Sequence, residues 1–172
     1  GAYYSFVVNS DLFVILNSEE NKSAILSTEQ VRFFQKTLEK SSKRVFVFLH
    51  SALWNGFHSS FKARYDNWGR RYVVNDFWEQ LVPAMARHSN KTFYVISGDV
   101  AGNKGVIPAF YRNIGNIHLM ASGMGEVPDE NYLSVRVNHE GVRVLANPLN
   151  PKHSPRDISW FHLENLEKYY SQ

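Results

Sequence analysis

The chain has 172 residues and a mass of 19.9 kDa, with 44% apolar, 15% aromatic and 20% charged residues, the make-up of a globular domain rather than of a disordered or fibrous chain. Its formal charge of +3 is too small and too evenly spread to argue for nucleic acid. The absence of cysteine excludes a disulfide framework, a thiolate metal site and a cysteine nucleophile, and no apolar run approaches the roughly 20 residues of a membrane span.

Taken in chain order, Tyr4 to Val8 and Leu12 to Leu16 are apolar runs separated by Asn9-Ser10-Asp11, which predicts an opening β-hairpin. Gly1, directly before it, is consistent with a tag-removal scar and with a chain that is a piece of something longer. Ser27 can cap a helix with Gln30 reaching back as in a capping box, and Val31, Phe34 and Leu38 give an apolar face to a helix from about Thr28 to Lys40. Val45 to Leu49 lacks polar alternation, as expected of a strand buried on both faces, and ends at His50. Residues 51 to 74 form a long irregular segment rich in aromatic and basic residues.

A second helical pattern opens at Asp76 and Glu79, with Phe77, Leu81, Ala84 and Met85 on one face and Pro83 set to kink or restart it. Phe93 to Ile96 is another short strand, closed by Ser97-Gly98-Asp99. The strand, helix, strand, helix, strand order predicts an α/β layered core with parallel neighbours. Ile117 to Ala121, Tyr132 to Val137 and Val142 to Leu145 are expected to form a small antiparallel sheet with one wet face, turning at His139-Glu140-Gly141. Prolines 148, 151 and 155 lead to a final short helix, about Trp160 to Tyr169.

In open α/β sheets ligands gather beyond the carboxyl ends of the strands. Here that rule points to His50 and to Asp99. If their strands are neighbours, an imidazole and a carboxylate face one crevice, a donor pair suited to Zn, Mn or Fe; taken singly, either residue also fits a turn or a structural hydrogen bond. His58, Arg64, Arg70 and Arg71 on the long segment are candidates to hold phosphate oxygens or a leaving group, and Trp54 and Trp68 to stack on a sugar or base; a loop pinned by its own aromatics with a solvated basic edge is the plainer reading. His118, His139, His153 and His162 show no ligand spacing and are read as structural or exposed.

Taken together and in order, the Tyr-Tyr-Ser-Phe hairpin, Val45-Phe46-Val47-Phe48-Leu49-His50, Phe93-Tyr94-Val95-Ile96-Ser97-Gly98-Asp99-Val100-Ala101, Met120-Ala121-Ser122-Gly123-Met124-Gly125 and the closing hairpin resemble the carboxy-terminal half of the calcineurin-like metallophosphoesterases, over about residues 3 to 146. The resemblance implies a layered α-β-β-α sandwich with a mixed sheet, holding two divalent metals at the strand ends, in which a metal-bridging hydroxide attacks phosphorus. His50 matches the family's histidine ligand at the end of a buried strand. Gly98-Asp99-Val100-Ala101 falls where the family carries Gly-His-x-His, so Asp99 replaces one histidine and Ala101 removes the other, a methyl group having no lone pair. The family's Asp-x-His, Gly-Asp and Gly-Asn-His motifs belong ahead of the opening hairpin. The chain is therefore expected to be a single domain, residues 1–172, the carboxy-terminal part of a larger metallophosphoesterase-like domain, hydrolysing a phosphoester with Mn, Zn or Fe only when completed. The alternative is a catalytically inactive ligand- or partner-binding module of the same fold. No nucleic-acid or membrane partner is expected, and the face that a missing half would cover predicts self-association.

Overall fold

A computed structural model describes residues 3–20, 26–54, 77–98, 109–123, 130–162 and 165. The opening hairpin pairs β1 (Tyr4–Val8) with β2 (Asp11–Ile15), Val8 opposite Asp11 across the two-residue turn Asn9-Ser10. Both turn residues have positive φ, 48° and 68°, the left-handed pair that matches strand twist. Helix α1 (Thr28–Thr37) starts at Ser27, whose Oγ accepts from the Gln30 amide at 3.4 Å. It stops short of Lys40 because its last turn tightens: the amides of Glu39 and Lys40 bond the carbonyls three residues back, Lys36 and Thr37.

Strand β3 (Arg44–Leu49) follows. Phe77–Leu81 forms a π-helical turn that gives way to helix α2 (Val82–Ala86), with Pro83 in its first positions. The expected restart at Pro83 is thus realised as a change of helical register, since proline has no N–H to donate back to the turn before it. Strands β4 (Thr92–Ser97), β5 (Ala109–Ile114) and β6 (Ile117–Ser122) complete a six-stranded sheet in the order β1-β2-β3-β4-β6-β5. The inner four, β2, β3, β4 and β6, run parallel, and the edges β1 and β5 are antiparallel to their neighbours.

Ile117 to Ala121 therefore belongs to the large sheet, not to the small antiparallel one. The reason is burial: Ile117, Leu119, Met120 and Ala121 are at most 1% exposed, so this strand is covered on both faces and could not serve a half-solvated sheet. Its hairpin partner β5, carrying Arg112 and Asn113, has no counterpart in the sequence reading. The small sheet has the order β7-β8-β9, built from β7 (Asn131–Val137), β8 (Val142–Pro148) and the two-residue β9 (Arg156–Asp157). The chain then makes a 3-10 turn, Ile158–Phe161, capped by the Asp157 carboxylate on the Ser159 amide; most of the expected helix to Tyr169 lies outside the described residues.

Alternation along the parallel strands divides the core in two. Val31, Phe34, Leu38, Phe77, Leu81 and Met85 pack on the face of the large sheet made by Leu12, Val14, Val45, Val47, Phe93, Val95 and Leu119. The opposite face, with Phe13, Phe46, Phe48, Tyr94, Ile96 and Met120, packs against Leu133, Val135, Val144 and Ala146 of the small sheet and Ile158 and Phe161 after it. The chain is a mixed α/β protein whose large sheet is covered by helices on one side and by a three-stranded antiparallel sheet on the other.

One register row of that second face is a continuous stack of rings. Phe6, Phe13, Phe46, Tyr94 and His118 stand opposite one another on β1, β2, β3, β4 and β6, with successive centroids 5.1, 5.0, 5.0 and 5.0 Å apart. Cross-strand aromatic pairs are worth about 0.5–1.5 kcal/mol beyond their burial. The row ends at a polar clamp. His118 Nδ1 lies 2.8 Å from the Tyr111 hydroxyl and 3.2 Å from Asn113 Nδ2. Bonds from that same amide nitrogen to the carbonyls of Gly115 and Ile117 fix the orientation of the Asn113 side chain beside the ring. Burial lowers the His118 pKa and raises that of Tyr111, with Asp157 and Tyr94 adding to the latter.

A second clamp closes the start of the sheet. Arg44 binds both carboxylate oxygens of Asp11, at 2.6 and 2.9 Å, and donates to the Asn138 carbonyl in the β7–β8 turn at 2.8 Å. Asp11 is only 6% exposed, and the guanidinium is the charge it is paired with.

Two outcomes are expected. Arg44→Met should cost about 2–4 kcal/mol in urea unfolding, because it strands a nearly buried carboxylate, and adding Asp11→Asn should restore part of the loss. For His118, the unfolded state, with the ordinary value of 6.5, binds the proton more tightly than the folded state; stability present above pH 6.5 is lost as pH falls below it. The urea midpoint of wild type should therefore drop more between pH 7.5 and 5.5 than that of His118→Phe, which keeps the stacked ring and cannot titrate.

Candidate functional site

The carboxyl ends of the four parallel strands gather Asn17 to Glu20 after β2, His50 and Ser51 after β3, Ser97 and Gly98 at β4, and Ser122 and Gly123 at β6. Strands β3 and β4 are direct neighbours in register, Leu49 opposite Ser97. The ladder runs one residue further, because the Gly98 amide donates to the His50 carbonyl at 3.0 Å. His50 is thus an exposed residue at a strand tip, bonded through its backbone to the residue before Asp99. Asp99 itself lies outside the described residues, as do His58, Arg64, Trp68, Arg70 and Arg71.

Trp54 is placed in the core. It is 4% exposed, with its ring 5.6 Å from that of Phe77 and 6.5 Å from that of Phe110, so its faces are taken by other side chains rather than offered to a sugar or base. Among the described residues its indole Nε1 has no hydrogen-bond partner. His139 and His153 are exposed, and His162 forms an isolated β-bridge with Tyr111, the two rings 6.0 Å apart.

The wall on the β2 side is built by polar groups that the sequence reading assigned elsewhere or passed over. Gln30 is fully buried, and its side chain does not close a capping box. It accepts from the Asn17 amide at 2.8 Å, donates to the Asn17 carbonyl at 2.9 Å, and donates to Glu20 Oε2 at 2.8 Å. Helix α1 is thereby fastened to the end of β2. One step across, the Ser51 amide donates to Ser18 Oγ at 2.9 Å and Ser51 Oγ donates to Glu19 Oε1 at 2.6 Å, and both serines are fully buried. Two carboxylates, Glu19 and Glu20, are so held on the segment that borders His50. The available signal was Gln30 itself: an amide on an apolar helix face must find partners when buried.

Chemically, this end of the sheet offers one imidazole, two anchored carboxylates and several hydroxyls. Among the described residues no three His, Asp or Glu side chains form a group able to hold a metal ion, so these residues alone do not complete a metal site. Ser97 Oγ, buried at the tip of β4, has no hydrogen-bond partner among them. No protein-family model, no curated protein and no solved structure matches the chain.

Replacing Gln30 with Leu leaves the Asn17 amide and carbonyl unpaired. It should cost about 1–3 kcal/mol and speed hydrogen exchange at Asn17 well before global unfolding, as read by exchange NMR.

Proposed function

We propose that the chain is the carboxy-terminal portion of a calcineurin-like phosphoester hydrolase, its metal-dependent hydrolysis requiring ligands from sequence outside these 172 residues or from a partner chain. The observation that carries this reading is the pairing of β3 and β4: two parallel buried strands, adjacent and in register, with the His50 carbonyl bonded to the Gly98 amide. The backbones of His50 and Gly98 thus leave the sheet side by side, which supports a site beyond the carboxyl ends of the strands. A hairpin before them and an antiparallel sheet after them keep the order the resemblance demands. The finer arrangement, α-β-β-α layers with a second helical layer beyond the small sheet, is part of the same proposal.

In this reading His50 and Asp99 are donors to Mn, Zn or Fe, and His58, Arg64, Arg70 and Arg71 hold phosphate oxygens of a phosphoester substrate. The metal, when bound, would supply the charge that polarises phosphorus and activates water. The role of this chain's own residues is to present the donors: the β3–β4 ladder sets the spacing of the two tips, and the Ser51 bonds to Ser18 and Glu19 hold the backbone that carries His50. The alternative, an inactive binding module, draws on Ala101, which puts a methyl group where the resemblance calls for a ligand.

Calorimetric titration with Mn and Zn decides between them. The chain alone should bind at most one ion, weakly, lose that binding on His50→Ala, and leave a generic aryl phosphate intact. Robust turnover by the chain alone, or ion binding indifferent to His50→Ala, overturns the proposal. An upstream reading frame without the Asp-x-His, Gly-Asp and Gly-Asn-His motifs favours the inactive module.

A further inference from the structure

The opposite end of the sheet holds a cavity of about 950 Å³, bounded by the Asn9-Ser10 turn, the segment from Leu38 to Arg44, the segment from His88 to Thr92, and His139 of the β7–β8 turn. Its lining carries four permanent cations, Lys40, Lys43, Arg44 and Lys91, and two carboxylates, Asp11 and Glu39. These charges do not cancel. Asp11 spends both oxygens on Arg44, which removes that pair from the balance. Three lysines then remain against Glu39, whose carboxylate is exposed and sits 3.8 Å from His88 Nε2.

Lys91 is the informative member. It is 6% exposed, and its ammonium makes one bond, to the Lys40 carbonyl at 2.6 Å. An ammonium has three N–H donors, so two are left without a protein acceptor among the described residues. Desolvation accordingly lowers the Lys91 pKa, against the pull of Glu39. A cation so placed gains from any anion that enters the cavity, and the exposed Lys40 and Lys43 line the same space. Among the described residues Lys40 Nζ bonds only the Ser5 hydroxyl, at 2.8 Å, a neutral acceptor.

A competing account is that the lysines merely offset the carbonyl end of α1, since Lys91 caps the Lys40 carbonyl just beyond that helix. That account uses one donor of one lysine. Among the described residues it leaves Lys40 and Lys43, and the remaining Lys91 donors, without a charged partner apart from Glu39.

We infer that this cavity is a binding site for a small phosphate-type oxyanion, free or carried on a metabolite, held by Lys40, Lys43 and Lys91. The site is independent of the His50 end of the sheet and stands or falls apart from the hydrolase proposal. Titration of the full chain at low ionic strength, with chelator present to silence the other end, uses inorganic phosphate, pyrophosphate and glycerol phosphate as probes, followed by amide chemical shifts. Saturable binding of at least one probe is expected, with shifts centred on residues 39–44 and 88–92. It should weaken at least tenfold in the charge reversal Lys40→Glu/Lys43→Glu, which touches only exposed side chains, and stay unchanged in His50→Ala and in Lys152→Glu. Tighter binding of glycerol phosphate than of the inorganic ions assigns a phosphorylated metabolite, and the reverse order assigns a free ion. Non-saturable shifts, or saturable binding that survives the double reversal, overturn the inference and leave the lysines as helix-end compensation.

Discussion

The central constraint is that the middle of β3 has no face that water can wet. Val45, Phe46 and Val47 are at most 1% exposed, so both sides of the sheet must be covered by other parts of the chain. Parallel strands impose this generally, because their crossover connections bring helices to the sheet. Here the crossovers cover one face, and the other is left to a hairpin recruited from the last third of the chain. The position of every polar group at the strand ends follows from this: only where the strands emerge from both layers can His50, Ser51, Gly98 or the cluster at Arg44 reach solvent or one another.

The two ends of the sheet are built on different principles. At the carboxyl end several polar groups are paired among themselves through neutral and carboxylate acceptors: Gln30 with Asn17 and Glu20, Ser51 with Ser18 and Glu19. The segment after β2 and Ser51 are pinned by these bonds, and His50 stands at the rim with its own backbone bonded across to β4. At the amino end charge predominates. Asp11 and Arg44 form one neutral unit, and the lysines around it exceed the acids. The carboxyl end suits the positioning of donors and the amino end the attraction of anions.

Much of the architecture was legible because the apolar runs are short and cleanly bounded. Val45 to Leu49 declares double burial by its lack of alternation, and Asn9-Ser10 declares a tight turn. The misreading of Ile117 to Ala121 has a physical source: His118 interrupts the apolar run and imitates the alternation of a half-wet strand. In the fold that imidazole is stacked on Tyr94 with its Nδ1 beside Tyr111 and Asn113, so a polar residue occupies this face with polar partners. Strand β5 was missed because an edge strand, exposed on its outer side, accepts residues such as Arg112 and Asn113 that carry no strand signature. Gln30 was read as a local cap because the spacing to Ser27 fits one, whereas its amide is spent on Asn17, 13 residues away, a pairing that no local pattern encodes. The adjacency of His50 and Gly98 is likewise a property of strand order; the sequence supplies the tips, and only the sheet puts them side by side.

The Arg44 side chain touches Asp11, 33 residues before it, and the carbonyl of Asn138, 94 residues after it. The opening hairpin is local enough to close in microseconds, but this junction cannot be finished until the last hairpin has travelled back across the sheet. Contacts of such wide separation slow folding, since loop entropy is spent before they repay it. Arg44 therefore acts as a latch, tying the start of β2 and the last hairpin to β3 at one point.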